Sequence, residues 1–582
     1  MEWVTLAVVA YFVAVLNLPF WRTLVTAVEP SRTYDWLFIG GCFVAMFALF
    51  NLVLTILGTA NTFKPLVMFL LPVTAGISYF MWEYGVVIDG NMIQNAIETN
   101  TNEARDLISL KMVTAVVLGG LLPAYLMWRT PIAYRPFWQE VWAKLPFGIA
   151  SAVIALAAVA AFFMDFTSVF REHKELRLTL TPSNYITAIR DYGKRFTGGS
   201  AAVIAEPFGT DATRGVSWTV PSRKSVTVLV VGETARAANF SLNGYARETN
   251  FQLGKLPGLI NFPNVTSCGT ATAQSVPCMF SGAGRAHTST DISIRREGLL
   301  HMLQRAGFAV TWRENQAGCK AVCNNIPTEI LTDSKLLPFY NNDESNDAIL
   351  VDGLEDRVVK ATGDSVIVLH LMGSHGPTYF KRYPPEFEKF TPVCKSAQFS
   401  RCTSEEIVNA YDNTILYTDH VLAELAGVLQ KLDAKGHPSS MIYVSDHGES
   451  LGEKNIYLHG MPYAIAPKEQ THVPMVMWLS PLYQSVFGID GACMAQHAAA
   501  DYSHDNFFHS VLGMLDVKTT TYDAALDMFA PCRTEPGNVG VTSASPQEKM
   551  ASPQEKMVSP QEKMVSPPGQ MASPQGQTPA PQ

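Results

Sequence analysis

Long uncharged apolar stretches fill the first third of the chain and are absent from the rest. Residues 4–20, 36–57, 65–82, 112–127 and 147–164 each come close to the ~17–25 residues that a helix needs to cross a bilayer. The pattern predicts five transmembrane helices. Met1-Glu2-Trp3 puts no cationic segment ahead of the first run, and Phe20-Trp21-Arg22 offers no small-residue cleavage site. That run is therefore expected to stay as a helix rather than to be removed as a signal. Between the fourth and fifth runs Arg129, Arg135 and Lys144 are opposed only by Glu140, an excess that places this loop in the cytoplasm. Five spans then put the N-terminus inside and everything after Phe170 outside.

Beyond the membrane domain, residues 1–170, the pattern changes three times. Residues 171–215 form a connector in which Arg171, Lys174, Arg177, Arg190, Lys194 and Arg195 alternate with Leu176, Leu178, Tyr185 and Ile186. This composition suits a helix lying on an anionic surface, and equally a solvated linker. Residues 216–535 carry short β-branched runs separated by amphipathic stretches, as in a soluble α/β domain with a mainly parallel central sheet. From Ala544 the unit Ser-Pro-Gln-Glu-Lys-Met-Val recurs with serines at 545, 552, 559, 566 and 573. Each repeat contains proline, which a helix interior does not absorb. Residues 536–582 therefore read as an extended, disordered tail rather than a coiled coil.

Composition agrees with a membrane protein carrying a large soluble part. Only 16% of the 582 residues are charged, against about 25% in typical soluble chains. The net charge of -8 argues against a nucleic-acid binder, which needs a basic excess. Of nine cysteines, Cys42 falls inside a span and the other eight fall in the external part. In an oxidising compartment an even set reads as disulfides. Cys268–Cys278, Cys319–Cys323 and Cys394–Cys402 are the local pairs, with Cys493 and Cys532 left as a long-range fourth. A zinc site built from these thiols is the competing reading, but no spacing is a paired CxxC.

The chemistry lies where three strand-like runs end. Val226-Thr-Val-Leu-Val-Val231 leads into Gly232-Glu233-Thr234. Met441-Ile-Tyr-Val-Ser445 leads into Asp446-His447-Gly448-Glu449, and Val366-Ile-Val-Leu369 into His370 and then His375. Ligands bind beyond the carboxyl ends of strands in open α/β sheets, so Glu233, Asp446, His447 and His375 are expected to converge. Two carboxylates and an imidazole suit zinc or manganese and leave a position for a nucleophile. The loop Thr266-Ser-Cys-Gly-Thr-Ala-Thr-Ala-Gln-Ser-Val-Pro-Cys278 is crowded with hydroxyls, and spacing does not choose among Thr270, Thr272 and Ser275.

Val231-Gly-Glu-Thr-Ala-Arg236, Ser267-Cys-Gly-Thr-Ala-Thr-Ala273, Ser275-Val-Pro-Cys-Met-Phe-Ser281, His375-Gly-Pro-Thr-Tyr-Phe-Lys-Arg-Tyr383, Ser445-Asp-His-Gly-Glu-Ser-Leu-Gly452 and Leu458-His-Gly-Met-Pro462 together resemble the lipid A phosphoethanolamine transferases. That family includes the mobile colistin-resistance enzymes and belongs to the alkaline phosphatase/sulfatase superfamily. The resemblance runs from the first span to about residue 530. It implies that Thr272 is the nucleophile and that Glu233, Asp446 and His447 complete the zinc site. His375, His459 and Lys320 match positions that hold the substrate phosphate or a second metal in relatives, with His375 and His459 as general acid or base. Met92-Ile-Gln-Asn95-Ala-Ile-Glu-Thr99-Asn-Thr-Asn-Glu103 resembles the family's external helix, expected near residues 91–108. Asn95, Thr99 and Glu103 are four apart and so share a face, which in relatives meets the ethanolamine end of the donor.

The implied reaction moves phosphoethanolamine from phosphatidylethanolamine to a lipid A phosphate through a phosphothreonine-type intermediate, releasing diacylglycerol. A lower surface charge and lower polymyxin sensitivity are the expected consequences. The implied setting is a monomer in the bacterial inner membrane with its catalytic domain in the periplasm. A different acceptor, such as a core heptose, a glycan or a protein, is the alternative. Sulfatase chemistry is disfavoured because Thr272-Ala-Gln-Ser275 lacks the Cys/Ser-x-Pro-x-Arg context that formylglycine requires.

Overall fold

The computed structural model describes residues 1–99, 104, 105, 107–173, 175–197, 205–219, 224–289, 291–332, 334–341 and 344–534. The repeat tail lies outside the described residues. The first segment is a bent pair, α1 (Glu2–Leu16) and α2 (Leu18–Val28), set at 57° to each other. It is followed by α3 (Thr33–Leu57), α4 (Phe63–Tyr84), α5 (Gly90–Glu98), α6 (Leu110–Arg129) and α7 (Phe137–Ala161). Among the described residues four helices are long and apolar enough to cross a membrane, and five if the bent pair counts as one span.

Two boundaries depart from the apolar pattern. The expected single helix over residues 4–20 is broken at Asn17, whose Nδ2 donates to the carbonyls of Phe12 and Thr181 at 2.9 Å each, and Pro19 follows at the start of α2. A side chain that bonds freed carbonyls lets a helix break inside an apolar environment. The fifth helix begins ten residues before the apolar run, because Glu140 and Lys144 pair one turn apart at 3.5 Å and so fit within it. A further helix, α8 (Ser183–Thr197), belongs to the basic connector. It buries Tyr185, which shares a 2.9 Å hydrogen bond with Thr74 of α4, and leaves Ile186 and Ile189 exposed.

The α/β part is built on eight strands: β1 (Val226–Gly232), β2 (Leu259–Thr266), β3 (Ala309–Glu314), β4 (Thr328–Ile330), β5 (Ser365–His370), β6 (Ser439–Ser445), β7 (His472–Leu479) and β8 (Tyr502–Ser503). Their order across the sheet is β8-β2-β7-β6-β1-β5-β3-β4. The sheet is mixed. β7 runs antiparallel to both its neighbours, β2 and β6, and the other neighbouring pairs are parallel.

The unbroken apolar runs of β1, β5 and β6 reflect burial on both faces, as expected of a sheet covered on each side. Leu229, Val366 and Ile442 join one core, while Val228, Ile367 and Met441 join the other. The second core is closed by α10 (Ser404–Ala434), numbered after the short helix α9 (Thr272–Ser281), through Leu422, Leu425 and Leu429. Its N-terminus carries a reciprocal cap: Thr403 Oγ1 accepts from the Glu406 N–H, and Glu406 accepts from the Thr403 N–H.

The α/β part rests on the helices through a small polar and aromatic clasp. Tyr84 Oη at the end of α4 donates to the Ala397 carbonyl at 3.1 Å, and its ring meets Phe399 edge-on. Glu83 accepts from both Lys111 and Ser400. The loop that reaches down here is closed by Cys394–Cys402.

Candidate active site

The carboxyl ends of β1 and β6, neighbours in the sheet, deliver Glu233 and Asp446-His447 side by side. All three side chains are fully buried. His447 Nε2 lies 3.3 Å from Glu233 Oε1 and 3.4 Å from Asp446 Oδ2. Thr272, the first residue of α9, points its hydroxyl into the same cluster. Its Oγ1 is 3.0 and 3.2 Å from the two Glu233 oxygens and 3.5 Å from His447 Nε2.

The other two candidate hydroxyls are occupied elsewhere. Thr270 Oγ1 donates to the Met461 carbonyl, and Ser275 Oγ accepts the Gly269 N–H at 2.9 Å. The loop is held by Cys268–Cys278 and by His504, whose Nδ1 accepts the Cys268 N–H at 3.1 Å while its Nε2 contacts the Ser445 carbonyl at 2.9 Å. Of the three hydroxyls left open by spacing, Thr272 alone faces the carboxylates.

This donor set fits a divalent metal. Four ligands about 2.0 Å from a tetrahedral centre stand roughly 3.3 Å from one another, and the contacts above cluster around that value. Asp446 Oδ2 is buried and has no hydrogen-bond partner, which is unusual for a carboxylate oxygen unless it serves another purpose. Burial raises the Asp446 carboxyl, and Glu233 beside it raises it further, to about 6. Burial opposes a proton on His447, yet Asp446 and Glu233 outweigh that and hold the imidazole up to about 10. Two carboxylates this deep require a compensating positive charge, and a dication supplies it where a proton otherwise would.

The thiol alternative does not survive. Cys268, Cys278, Cys319, Cys323, Cys394, Cys402, Cys493 and Cys532 are all disulfide-bonded, in the three local pairs that spacing indicated and in Cys493–Cys532, the pair it left over.

Around the cluster, Asn95, Thr99, Thr272, Lys320, His375 and His459 line one small polar cleft. Asn95 lies on α5 and Thr99 just beyond it, with Thr99 Oγ1 bonded to the Asn95 carbonyl at 2.7 Å. Glu103 lies outside the described residues. The His375 and His459 rings sit 5.3 Å apart, and His459 is 4.4 Å from His447, centre to centre. Lys320 stands in the turn closed by Cys319–Cys323, its backbone left-handed at φ 50°. From His375 and His459 a groove of about 540 Å³ runs down between Ile77 and Phe80 of α4 and Met112 and Val116 of α6.

Three residues of the site were not singled out from the sequence. Gln316 Nε2 donates to Glu233 Oε2 at 2.8 Å. Glu449, fully buried, accepts from Tyr379 Oη at 2.6 Å and bonds His459 Nδ1 at 2.8 Å. His504 braces the Thr272 loop as described. Glu449 had a signal in its place two residues after His447. Gln316 and His504 had none, because only the fold brings them near.

Fold and site together define a protein of the alkaline phosphatase/sulfatase type joined to a set of membrane helices. Residues 225–517 match the sulfatase family, and residues 46–196 match the family described as phosphoethanolamine transferase EptA/EptB. The chain is 40% identical over 539 residues to phosphoethanolamine transferase EptA of Escherichia coli K12, covering 92% of this chain and 97% of that protein. It is 39% identical over 490 residues to phosphatidylethanolamine transferase Mcr-1 of Escherichia coli, covering 81% and 88%. The integral membrane lipooligosaccharide phosphoethanolamine transferase A of Neisseria meningitidis superposes with a TM-score of 0.86 at 36% identity, covering 91% of this chain and 98% of that one. The chain belongs to the phosphoethanolamine transferase family.

Proposed function

We propose that this protein transfers phosphoethanolamine from phosphatidylethanolamine to a phosphate of lipid A, releasing diacylglycerol, through a covalent intermediate on Thr272. The observation that carries this reading is the position of Thr272 Oγ1, at the meeting point of a buried carboxylate-imidazole cluster and a polar cleft that shares Asn95, Thr99, His375 and His459 with an apolar groove from the membrane helices. The phosphatidylethanolamine in the name of one relative and the lipooligosaccharide in that of another support the donor and acceptor classes.

Glu233, Asp446, His447 and Thr272 would hold zinc, which when bound favours the alkoxide of a coordinated hydroxyl and offsets charge on phosphoryl oxygens. The chain's own groups do the rest. Glu233 accepts the Thr272 hydroxyl hydrogen. The N-terminus of α9 favours negative charge at Thr272 and at a phosphoryl group beside it. Attack by Oγ1 forms a phosphorus–oxygen bond and breaks the one to diacylglycerol, whose oxygen takes a proton from His375 or His459. A lipid A phosphate oxygen then attacks the same phosphorus and Thr272 leaves, recovering its proton.

Asn95 and Thr99, with Glu103, receive the ethanolamine, Lys320 holds a phosphoryl oxygen, and the groove takes the acyl chains. A second metal at His375 and His459 is the variation on this scheme. On this reading residues 1–170 are the membrane domain with the N-terminus in the cytoplasm, 171–215 the connector and 216–535 the periplasmic catalytic domain of an inner-membrane monomer.

Lipid A mass spectrometry of Gram-negative cells expressing the wild type or Thr272→Ala tests the proposal. A phosphoethanolamine increment with the wild type alone, together with lower polymyxin sensitivity, is expected. Modification by the Thr272→Ala variant would rule out the covalent step. Unmodified lipid A with a zinc-loaded wild type would redirect the search to another acceptor, a core heptose, a glycan or a protein.

A further inference from the structure

A second cavity, of about 880 Å³, opens between α3 and α7. It lies at the end of the helices away from the catalytic domain. α4 meets that domain at Tyr84, its last residue, and the turn at Gly58 to Asn61 that lines the cavity precedes the other end of this 22-residue helix. At ~1.5 Å per residue the separation is about 33 Å. The cavity is therefore distinct from the groove that leads to His375 and His459.

Its walls are apolar, formed by Leu52 and Ile56 of α3 and by Leu145 and Ile149 of α7. Its mouth is polar and holds two ion pairs, in which Arg135 is the most exposed of the four charges. Arg135 is 49% exposed in its side chain, whereas its partner Glu2, at 2.7 Å, is 19% exposed. Lys144 lines the mouth, donates to the Gly58 carbonyl and stands 3.5 Å from Glu140, whose Oε2 is occupied by the Arg135 backbone N–H at 3.2 Å. Tyr134 Oη is buried beside them and has no hydrogen-bond partner. An apolar slot whose rim offers a half-exposed guanidinium, the Lys144 ammonium and an unused hydroxyl beside two largely buried carboxylates is complementary to a molecule with acyl chains and an anionic phosphodiester.

We propose that this cavity binds an anionic glycerophospholipid. Its phosphate is held by Lys144 and Arg135 with Tyr134 as a third donor, and its acyl chains lie between Ile56 and Ile149. The inference does not depend on the catalytic reading. A net negative headgroup is favoured over a zwitterionic one because Arg135, 49% exposed, is the most accessible of the four charges at the mouth, while Glu2, Lys144 and Glu140 are 19%, 13% and 10% exposed.

Native mass spectrometry of the full-length protein in detergent, mixed with phosphatidylglycerol or with phosphatidylethanolamine, tests it. One phosphatidylglycerol is expected to be retained with about a tenfold preference, of the order that two rim cations confer. Equal retention of the two lipids by the wild type would overturn the proposal without any variant. Arg135→Gln with Lys144→Gln is expected to abolish the preference. Ala152→Phe, which fills the apolar end, is expected to abolish retention while leaving helix content unchanged. Retention that survives Ala152→Phe would place the bound lipid elsewhere and also overturn the assignment.

Discussion

Glu449→Gln removes one charge from the site and almost no volume. The carboxylate is fully buried, bonded on one oxygen by Tyr379 at 2.6 Å and on the other by His459 Nδ1 at 2.8 Å. In the wild type it accepts from both, which places the His459 proton on Nδ1 and leaves Nε2 as the second ring nitrogen for the cleft. In the variant Tyr379 still needs an acceptor, so the amide oxygen turns to the phenol and the amide nitrogen to Nδ1. That nitrogen then has to accept, and the ring loses the carboxylate that offsets its positive charge while Nε2 passes a proton to or from the cleft. A hydrogen bond to a charged group is worth about 1.5–3 kcal/mol, which converts to roughly a 10- to 150-fold loss in turnover at 1.36 kcal/mol per decade. Because the carboxylate bonds Tyr379 and His459 rather than Glu233, Asp446 or His447, metal content is expected to stay at the wild-type level. The assay is headgroup transfer from a fluorescent phosphatidylethanolamine in micelles, read as kcat and KM beside metal analysis. Wild-type kcat in Glu449→Gln, or a loss of activity matched by a loss of zinc, would refute the positioning argument.

Three further perturbations follow from the same contacts. Gly448→Ala would set a Cβ 2.1 Å from the Glu469 carbonyl oxygen, a backbone atom that cannot swing away. The displacement of the His447 segment is expected to cost about 1–3 kcal/mol and to lower zinc retention, both measurable on the purified protein by thermal unfolding and metal analysis. Glu83→Gln weakens the clasp to Lys111 and Ser400; with Lys111 43% exposed, about 1–2 kcal/mol is expected. Transfer from a lipid donor should fall while hydrolysis of a soluble phosphoethanolamine ester persists, and equal loss of both would remove the docking role. Burial holds His504 down to about 4 against an ordinary 6.5, so between those values the unfolded chain binds a proton that the folded one excludes. Stability is therefore present above about pH 6.5 and declines as pH falls toward 4, by up to about 3 kcal/mol. Urea unfolding at pH 7.5 and pH 5 checks this, with His504→Asn expected to flatten the difference.

Local chemistry was enough for much of this protein. Apolar runs of bilayer length announce themselves because the hydrocarbon core tolerates little else, and α3, α4 and α6 appear where those runs lie. β1, β5 and β6 are legible because a strand covered on both faces has no polar side to show. The cysteine pairs follow from proximity in the chain, except Cys493–Cys532, whose partners are 39 residues apart and meet only in the folded domain.

What the amino-acid order could not settle depends on groups that become neighbours across large separations. Thr272 is distinguished from Thr270 and Ser275 by facing Glu233, 39 positions away, and His447, 175 away. The break at Asn17 depends on a carbonyl 164 residues later, and the antiparallel course of β7 on its pairing with β2 and β6. Gln316 and His504 carry no local mark, since their effect lies in the atoms they touch. Sequence by itself determined the elements and the residue types able to hold a metal and a phosphoryl group, because hydrophobicity and side-chain chemistry are local properties. The tertiary structure alone decided which hydroxyl, which braces and which cavity serve them, because distance and desolvation exist only once the chain has closed on itself.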